Sequence, residues 1–125
     1  MSSPANVTIK NLTKQSITTK VTRDYWVEGD GDSINGKVIP EGENRVFRVV
    51  AKTKHHGELD IDLMGGAEGA KLGTFKIKSI KDPHEGEKSL AVTSNQDDID
   101  MSAQGYRNSP GNDDLRRIDL IIVQR

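Results

Sequence analysis

The sequence contains no cysteine, which excludes disulfide bonds, thiolate metal ligands and a cysteine nucleophile. It also has no apolar run near the ~18 residues that a membrane-spanning helix needs. Its first residues, M-S-S-P-A-N, are neither cationic nor followed by the apolar segment of a signal peptide. We therefore expect a protein that is cytoplasmic or is exported without a signal peptide.

Aromatic residues are also few, and the net charge is small. The aromatic residues are Tyr25, Trp26, Phe47, Phe75 and Tyr106. Aliphatic side chains must therefore fill most of the core. The 18 basic and 19 acidic residues give a net charge of −1, without the positive field of a nucleic-acid-binding protein, so we predict no nucleic-acid partner. A length of 125 residues predicts a single domain over 1–125. We expect its N-terminus, residues 1–5, to be disordered.

Alternation of apolar and polar residues is the dominant pattern, and it indicates half-buried strands. It recurs over residues 7–9, 17–21, 46–51, 59–63, 75–79, 90–92, 99–103 and 116–124. Glycine, proline and asparagine turns separate these runs at short intervals. The pattern predicts an all-β fold, a single antiparallel β-sandwich of eight to nine short strands. Residues 47–51 and 118–123 are apolar on both faces, which predicts two central strands.

A glycine- and aspartate-rich loop follows residue 27 and contains Asp30 and Asp32. With Asp30 as the first ligand of an EF-hand loop, Ile34 would occupy the fifth position and Asn35 the sixth, where glycine is required. A hairpin turn, in which the aspartates accept hydrogen bonds from nearby backbone N–H groups, explains the pattern better. We predict no metal site here.

The sequence contains no recognisable catalytic set. His55 and His56 are neighbours, so on an extended strand their side chains would point to opposite faces and could not easily share a metal ion. His84 lies in a polar loop, and no G-x-S-x-G nucleophile motif is present. We predict that the protein is not an enzyme and that it needs no cofactor.

The pair Tyr25-Trp26 is the strongest candidate for a binding site. Both residues combine an apolar ring with a polar group, which suits a boundary between water and an apolar ligand. Beside them, Asp30 and Asp32 could accept hydrogen bonds from a sugar ring, a lipid headgroup or a partner protein. The alternative is that Trp26 is simply the largest side chain of an aromatic-poor core.

In the order of its motifs, the chain resembles the aegerolysins, small β-sandwich proteins of fungi and bacteria. The matching segments are V-T-I-K-N at 7–11, the passage from Trp26 into G-D-G-D, G-K-V-I-P-E-G-E at 36–43, G-E-L-D-I-D-L at 57–63, and the closing strands from D-I-D-M-S-A-Q-G-Y to L-R-R-I-D-L-I-I-V. The resemblance implies a non-enzymatic protein that recognises membrane lipids such as sphingolipids. It also implies a possible role as the membrane-binding part of a cytolysin whose larger partner forms the pore.

The family's aromatic-rich middle, with a W-D-C-P-W-G type motif, has no counterpart here, where the chain reads F-K-I-K-S-I-K-D-P-H. Membrane anchoring would therefore depend on Tyr25, Trp26 and Tyr106, helped by scattered lysines. Two other functions stay open: a lectin-like, carbohydrate-binding sandwich, and a protein-interaction module. In the latter, the apolar run 118–123 would form a homodimer edge if it were not central.

Overall fold

The computed structural model describes residues 3–25, 27, 34–52, 55, 57–65, 69–78, 90–109 and 112–125, with side chains for all of these except 3–4, 106–109 and 112–116. Within these ranges the chain forms nine strands. They are β1 (Ser3–Leu12), β2 (Ile17–Arg23), β3 (Val38–Ile39), β4 (Asn44–Ala51), β5 (Leu59–Gly65), β6 (Ala70–Ile77), β7 (Leu90–Ser94), β8 (Ile99–Ser109) and β9 (Asn112–Gln124).

The strands form two sheets, which confirms the predicted all-β sandwich. One sheet has four strands in the order β4-β1-β9-β8, and the other has five in the order β3-β2-β5-β6-β7. All pairs are antiparallel except β1 and β9, which run parallel. The purely antiparallel arrangement expected from the sequence is therefore interrupted once, where the first and last strands meet.

The core lies between the sheets and is built from the apolar half of each alternating run. Its fully buried side chains include Ile9 on β1, Ile61 on β5 and Phe75 on β6. Leu120 on β9 is buried opposite Ile9 in the parallel register. Because successive side chains of a strand point to opposite faces, the polar residues between them face outward. Aliphatic side chains dominate this core, as the shortage of aromatic residues predicts.

Two expectations about strand position need correction. Strand β4 is an edge strand and not a central one, and Val46 on its outer face is 58% exposed. The apolar pattern of β4 reflects burial of Phe47 and Val49 on one face alone. Strand β9 is central, as predicted, so its two edges are paired with β1 and β8 and cannot pair with a second copy of the chain.

The N-terminus also differs from expectation over part of its length. Residues 1–5 are predicted to be disordered, but β1 begins at Ser3 and pairs with β4 from that residue onward. Ala5 is fully buried in the core. Pairing with β4 from Ser3 onward, joined by pairing with β9 at Ala5, orders this segment, a contribution that its composition does not reveal. Residues 1 and 2 lie outside the described part of the chain.

Asn11, at the end of β1, is a buried polar side chain with several hydrogen bonds. It is fully buried, and its Nδ2 lies 2.8 Å from the carbonyl oxygen of Gln15, 2.9 Å from that of Ile39 and 3.2 Å from that of Pro40. Its Oδ1 accepts hydrogen bonds from the backbone N–H (3.0 Å) and the hydroxyl (2.6 Å) of Thr13. One amide therefore ties the β1–β2 turn to β3.

The backbone of Asn11 strengthens the same junction. Its N–H donates to the carbonyl of Glu43, and its carbonyl accepts from the N–H of Gly42. Although Asn11-Leu12-Thr13 matches a glycosylation sequon, the Asn11 amide is enclosed and engaged in the folded protein. Asn11 therefore has a structural role in the folded protein.

Of the glycines whose neighbours are described, Gly73 has the closest neighbouring atom. A Cβ atom placed on Gly73 would lie 2.0 Å from Sδ of Met101, on β8 of the other sheet, and 2.6 Å from the carbonyl oxygen of Thr93 on β7. At Gly105 the nearest atom would be 3.3 Å away. The absence of a side chain at residue 73 therefore permits the sheets to pack at this spacing.

Among the described residues, no helix has the length and apolar character needed to cross a membrane.

Candidate functional site

The predicted site is described only in part. Trp26, Asp30 and Asp32 lie outside the described residues. Tyr106 lies on β8 at a β-bulge, between the pairs Gly105↔Ile118 and Arg107↔Arg117, and its side chain is outside the description. Tyr25 is described in full and is 55% exposed.

A cation lies against the Tyr25 ring. The guanidinium carbon of Arg23 is 4.8 Å from the ring centroid, within the range of a cation–π contact. Arg23 also forms an ion pair with Glu58, with 2.9 Å between Nη2 and Oε2. The backbone N–H of Glu58 donates to the carbonyl of Tyr25 at 2.7 Å. The start of β5 therefore holds the end of β2 through both backbone and side-chain contacts.

A β-bulge in β2 determines where Arg23 points. Val21 pairs with Ile61, whereas Arg23 pairs with Asp60, so Thr22 is an extra residue on the β2 side. In an unbulged strand Arg23 would share the core-facing side with Val21. The bulge turns Arg23 outward, next to Tyr25 and Glu58. This is a geometric feature that the alternation pattern does not predict.

A shallow depression of about 180 Å³ adjoins this cluster on the outer face of the five-stranded sheet. The residues that line it are Arg23, Glu58, Asp60, Lys76, Ile77 and Lys78. Asp60 pairs with Arg23 on one side and with Lys76 on the other, so cations and carboxylates alternate across the strands. We call Tyr25 and the charged residues of this depression the Tyr25 rim.

The loop that contains Asp30 and Asp32 is anchored at both of its described ends. Val27 is 5% exposed and forms an isolated β-bridge with Ala51. Ile34 is fully buried, and its carbonyl accepts a hydrogen bond from the hydroxyl of Thr19. The same hydroxyl oxygen accepts the N–H of Lys37 at 3.0 Å. The two ends of the loop are thus fixed to different strands.

Replacing Thr19 with valine is expected to lower the free energy of unfolding by about 1–3 kcal/mol, since it leaves the Ile34 carbonyl and the Lys37 N–H without this partner. Urea denaturation measures the loss, and faster hydrogen exchange at Lys37 would locate it. Thr22→Val, on an exposed residue of the same strand, is the matched control and is expected to change stability by less than about 0.5 kcal/mol. Unchanged stability and exchange in Thr19→Val would contradict the anchoring role.

The described residues contain no group of three or more histidine, aspartate or glutamate side chains arranged to hold a metal ion. His55 is exposed, while His56 and His84 lie outside the description. The Tyr25 rim offers an aromatic ring together with charged side chains that can form hydrogen bonds and ion pairs.

Fold and site together define a β-sandwich with an aromatic and charged patch at one end. The fold is similar to that of IP-1A from Alcaligenes faecalis, with a TM-score of 0.65 and 13% sequence identity, covering 98% of this chain and 91% of IP-1A. It is also similar to that of RahU, solved in complex with a TRIS molecule, with a TM-score of 0.61 and 12% identity, covering 97% of this chain and 96% of RahU. These similarities support a distant aegerolysin-like fold. No family model and no curated protein matches the sequence.

Proposed function

We propose that this protein is a non-enzymatic binding module that recognises a membrane lipid surface through the Tyr25 rim. The observation that carries the proposal is the exposed Tyr25 ring, which is flanked by Arg23 and by a charged depression at one end of the sandwich. Tyrosine at such a position can enter the interfacial region of a bilayer with its ring while its hydroxyl stays hydrated.

The charges beside Tyr25 fit a lipid headgroup. Arg23, Lys76 and Lys78 can meet phosphate oxygens, and their aliphatic parts can lie along the apolar boundary while the charged ends stay in water. The carboxylate of Glu58 orients Arg23, and Glu58 and Asp60 together limit the net positive charge of the depression. With a net charge of −1 for the whole chain, adsorption driven by charge alone would be weak, so binding should depend on the ring and on the headgroup.

The aegerolysin-like fold supports the same proposal, because members of that family commonly recognise membrane lipids and lack enzymatic activity. Action as the membrane-binding half of a cytolysin, with a larger pore-forming partner, follows from the same resemblance. We propose it as the setting in which lipid recognition would operate. Either cytoplasmic residence or export without a signal peptide stays a prediction from the sequence.

Sedimentation with liposomes tests the proposal. We expect binding to vesicles of one or more headgroup compositions among phosphatidylcholine alone, phosphatidylcholine with phosphatidylserine, and sphingomyelin with sterol. Tyr25→Ala is expected to weaken the binding about tenfold, the effect of losing roughly 1.4 kcal/mol of interfacial contact. Tyr25→Phe keeps the ring and should retain most of the affinity.

Leu12→Ala is the matched control, since Leu12 is 50% exposed at the end of β1. The short connection from β1 to β2 puts Leu12 at the opposite end of the sandwich from Arg23 and Tyr25. The control should bind like the unmodified protein. Absence of binding to all three compositions, or equal binding by Tyr25→Ala, would contradict the proposal.

Carbohydrate recognition at the same rim is the alternative, because an exposed tyrosine ring beside carboxylates also suits a sugar ring. A glycan array, read with and without calcium, separates the two. Sugar binding that is abolished by Tyr25→Ala, together with failure to sediment with liposomes, would favour the lectin-like function.

A further inference from the structure

A second polar depression lies on the outer face of the four-stranded sheet. Val7 and Ile9 of β1 are buried in the core, so the intervening residues of that strand point away from it. The depression has a volume of about 300 Å³. It is lined by Asn6, Thr8, Lys10, Asn44, Val46 and Arg117. We call it the β1 groove.

The register of the sheet brings hydrogen-bond donors from three neighbouring strands close together. Thr8 is 7% exposed and forms the floor, with Val46 of β4 paired to one side and Asp119 of β9 to the other. Lys10 pairs with Asn44, whereas Asn6 pairs with Arg117. A cation therefore lies at each end of the groove, with a hydroxyl between them and an amide at either end.

Asp119 fixes one of these cations. Its side chain is only 3% exposed, although it lies on the outer face, and its Oδ1 is 3.3 Å from Nε of Arg117. The guanidinium carries five N–H donors, and this contact engages one of them. The Arg117 side chain is 43% exposed, so it can also be reached from solvent. A buried carboxylate thus holds a partly exposed guanidinium beside the groove.

We propose that the β1 groove is a second binding site, separate from the Tyr25 rim, that takes the tetrahedral oxyanion of a phosphate or sulfate monoester. Such an anion has acceptors directed to several sides, and the groove offers donors from three strands. Charge-assisted hydrogen bonds from lysine and arginine are the stronger contacts available to it. The volume is at the lower end of the range for small-molecule sites, which suits a single monosaccharide ester. Val46, exposed at the wall, suits the C–H face of its ring.

Titration of isotope-labelled protein with inorganic phosphate, followed by amide chemical shifts at constant ionic strength, tests the site. We expect saturable shifts centred on Thr8, Val46 and Asp119, with a dissociation constant on the order of 1 mM. Lys10→Gln should weaken binding about tenfold, because it removes one charge-assisted hydrogen bond. The same spectra report whether the variant is folded.

Lys20→Gln, on an exposed residue of β2 in the other sheet, removes the same charge and should leave phosphate binding unchanged. Tyr25→Ala should also leave phosphate binding unchanged. Phosphate titration therefore tests the β1 groove alone, whereas liposome sedimentation tests the Tyr25 rim. Shifts that do not saturate, that fall elsewhere, or that are equal in Lys10→Gln and Lys20→Gln would overturn the proposal.

Glucose 6-phosphate, glucose 6-sulfate and glucose distinguish the sources of the oxyanion. Both esters should shift the groove amides, and the tighter of the two identifies the preferred class. Equal binding of unmodified glucose would overturn the assignment, since it would mean that the cations of the groove contribute nothing to recognition.

Discussion

Replacing Asn11 with aspartate is expected to lower the free energy of unfolding by about 3–4 kcal/mol and the melting temperature by roughly 10 °C or more. The substitution keeps the size of the side chain but replaces its only donor group with an oxygen. That oxygen would face the carbonyls of Gln15, Ile39 and Pro40, which would lose their hydrogen bonds to a fully buried side chain, the one to Ile39 in a buried contact and the other two in partly buried contacts. The hydrogen bonds from Thr13 to Oδ1 can persist, so the loss of stability measures the contribution of the hydrogen bonds that Nδ2 donates.

The same substitution should make stability depend on pH. Burial among carbonyl oxygens favours a protonated carboxyl, so the pKa of the introduced group should rise on folding. Above its ordinary pKa of about 4, the folded state then holds more protons than the unfolded chain, and stability falls as pH rises. The cost of Asn11→Asp should therefore be smaller at pH 4 than at pH 7.

Urea denaturation at both pH values, followed by circular dichroism, measures these effects. Asn95→Asp, on an exposed residue in the β7–β8 turn, is the control and should change stability by less than about 0.5 kcal/mol. If Asn11→Asp were as stable as Asn95→Asp, the Asn11 amide would not be the junction between the β1–β2 turn and β3.

Replacing Gly73 with alanine is expected to destabilise the protein by about 2–4 kcal/mol, a loss at the upper end for overpacking. The added methyl carbon would lie 2.0 Å from Met101 Sδ and 2.6 Å from the Thr93 carbonyl oxygen. A methionine side chain can change rotamer, but the Thr93 oxygen belongs to the backbone of the paired strand. Relief therefore requires the strands themselves to move.

The double variant Gly73→Ala with Met101→Ala separates the two contacts. Relative to Met101→Ala alone, the cost of Gly73→Ala should fall but not vanish, because the Thr93 contact remains. Gly105→Ala, whose nearest neighbour would be 3.3 Å away, should cost far less than Gly73→Ala. Denaturant unfolding of the four variants gives the comparison, and equal losses at residues 73 and 105 would contradict the assigned close approach.

Much of the fold can be predicted from local pattern. The alternating runs around Ile61, Phe75 and Leu120 are strands, and their apolar members form the core. The position of β4 at the edge of its sheet does not follow from local pattern. Apolar residues on both faces of a strand also occur at an edge, where Val46 is exposed to solvent. The ordering of residues 3–5 is not predictable from local pattern, because it depends on pairing with residues 44 to 48 positions further along the chain.

The candidate site was predicted less completely. The chemistry of Tyr25 predicts a binding residue, and the structure shows that it is exposed, although its role in binding stays a prediction. The sequence does not point to Arg23, Asp60 and Lys76, because nothing in their spacing indicates that three strands bring them together. The bulge after Val21 is the decisive feature, since it reverses the face on which Arg23 lies.

The sequence by itself determined the all-β class, a core of aliphatic side chains with few aromatic rings, and the absence of thiol chemistry. These follow from composition and from the two-residue period of each strand. Only the tertiary structure decided which polar residues meet: the charges of the Tyr25 rim, the donors of the β1 groove and the bonds of Asn11. The physical reason is that alternation fixes the two faces of a strand locally. Strand order, register and bulges depend on partners far away in the chain.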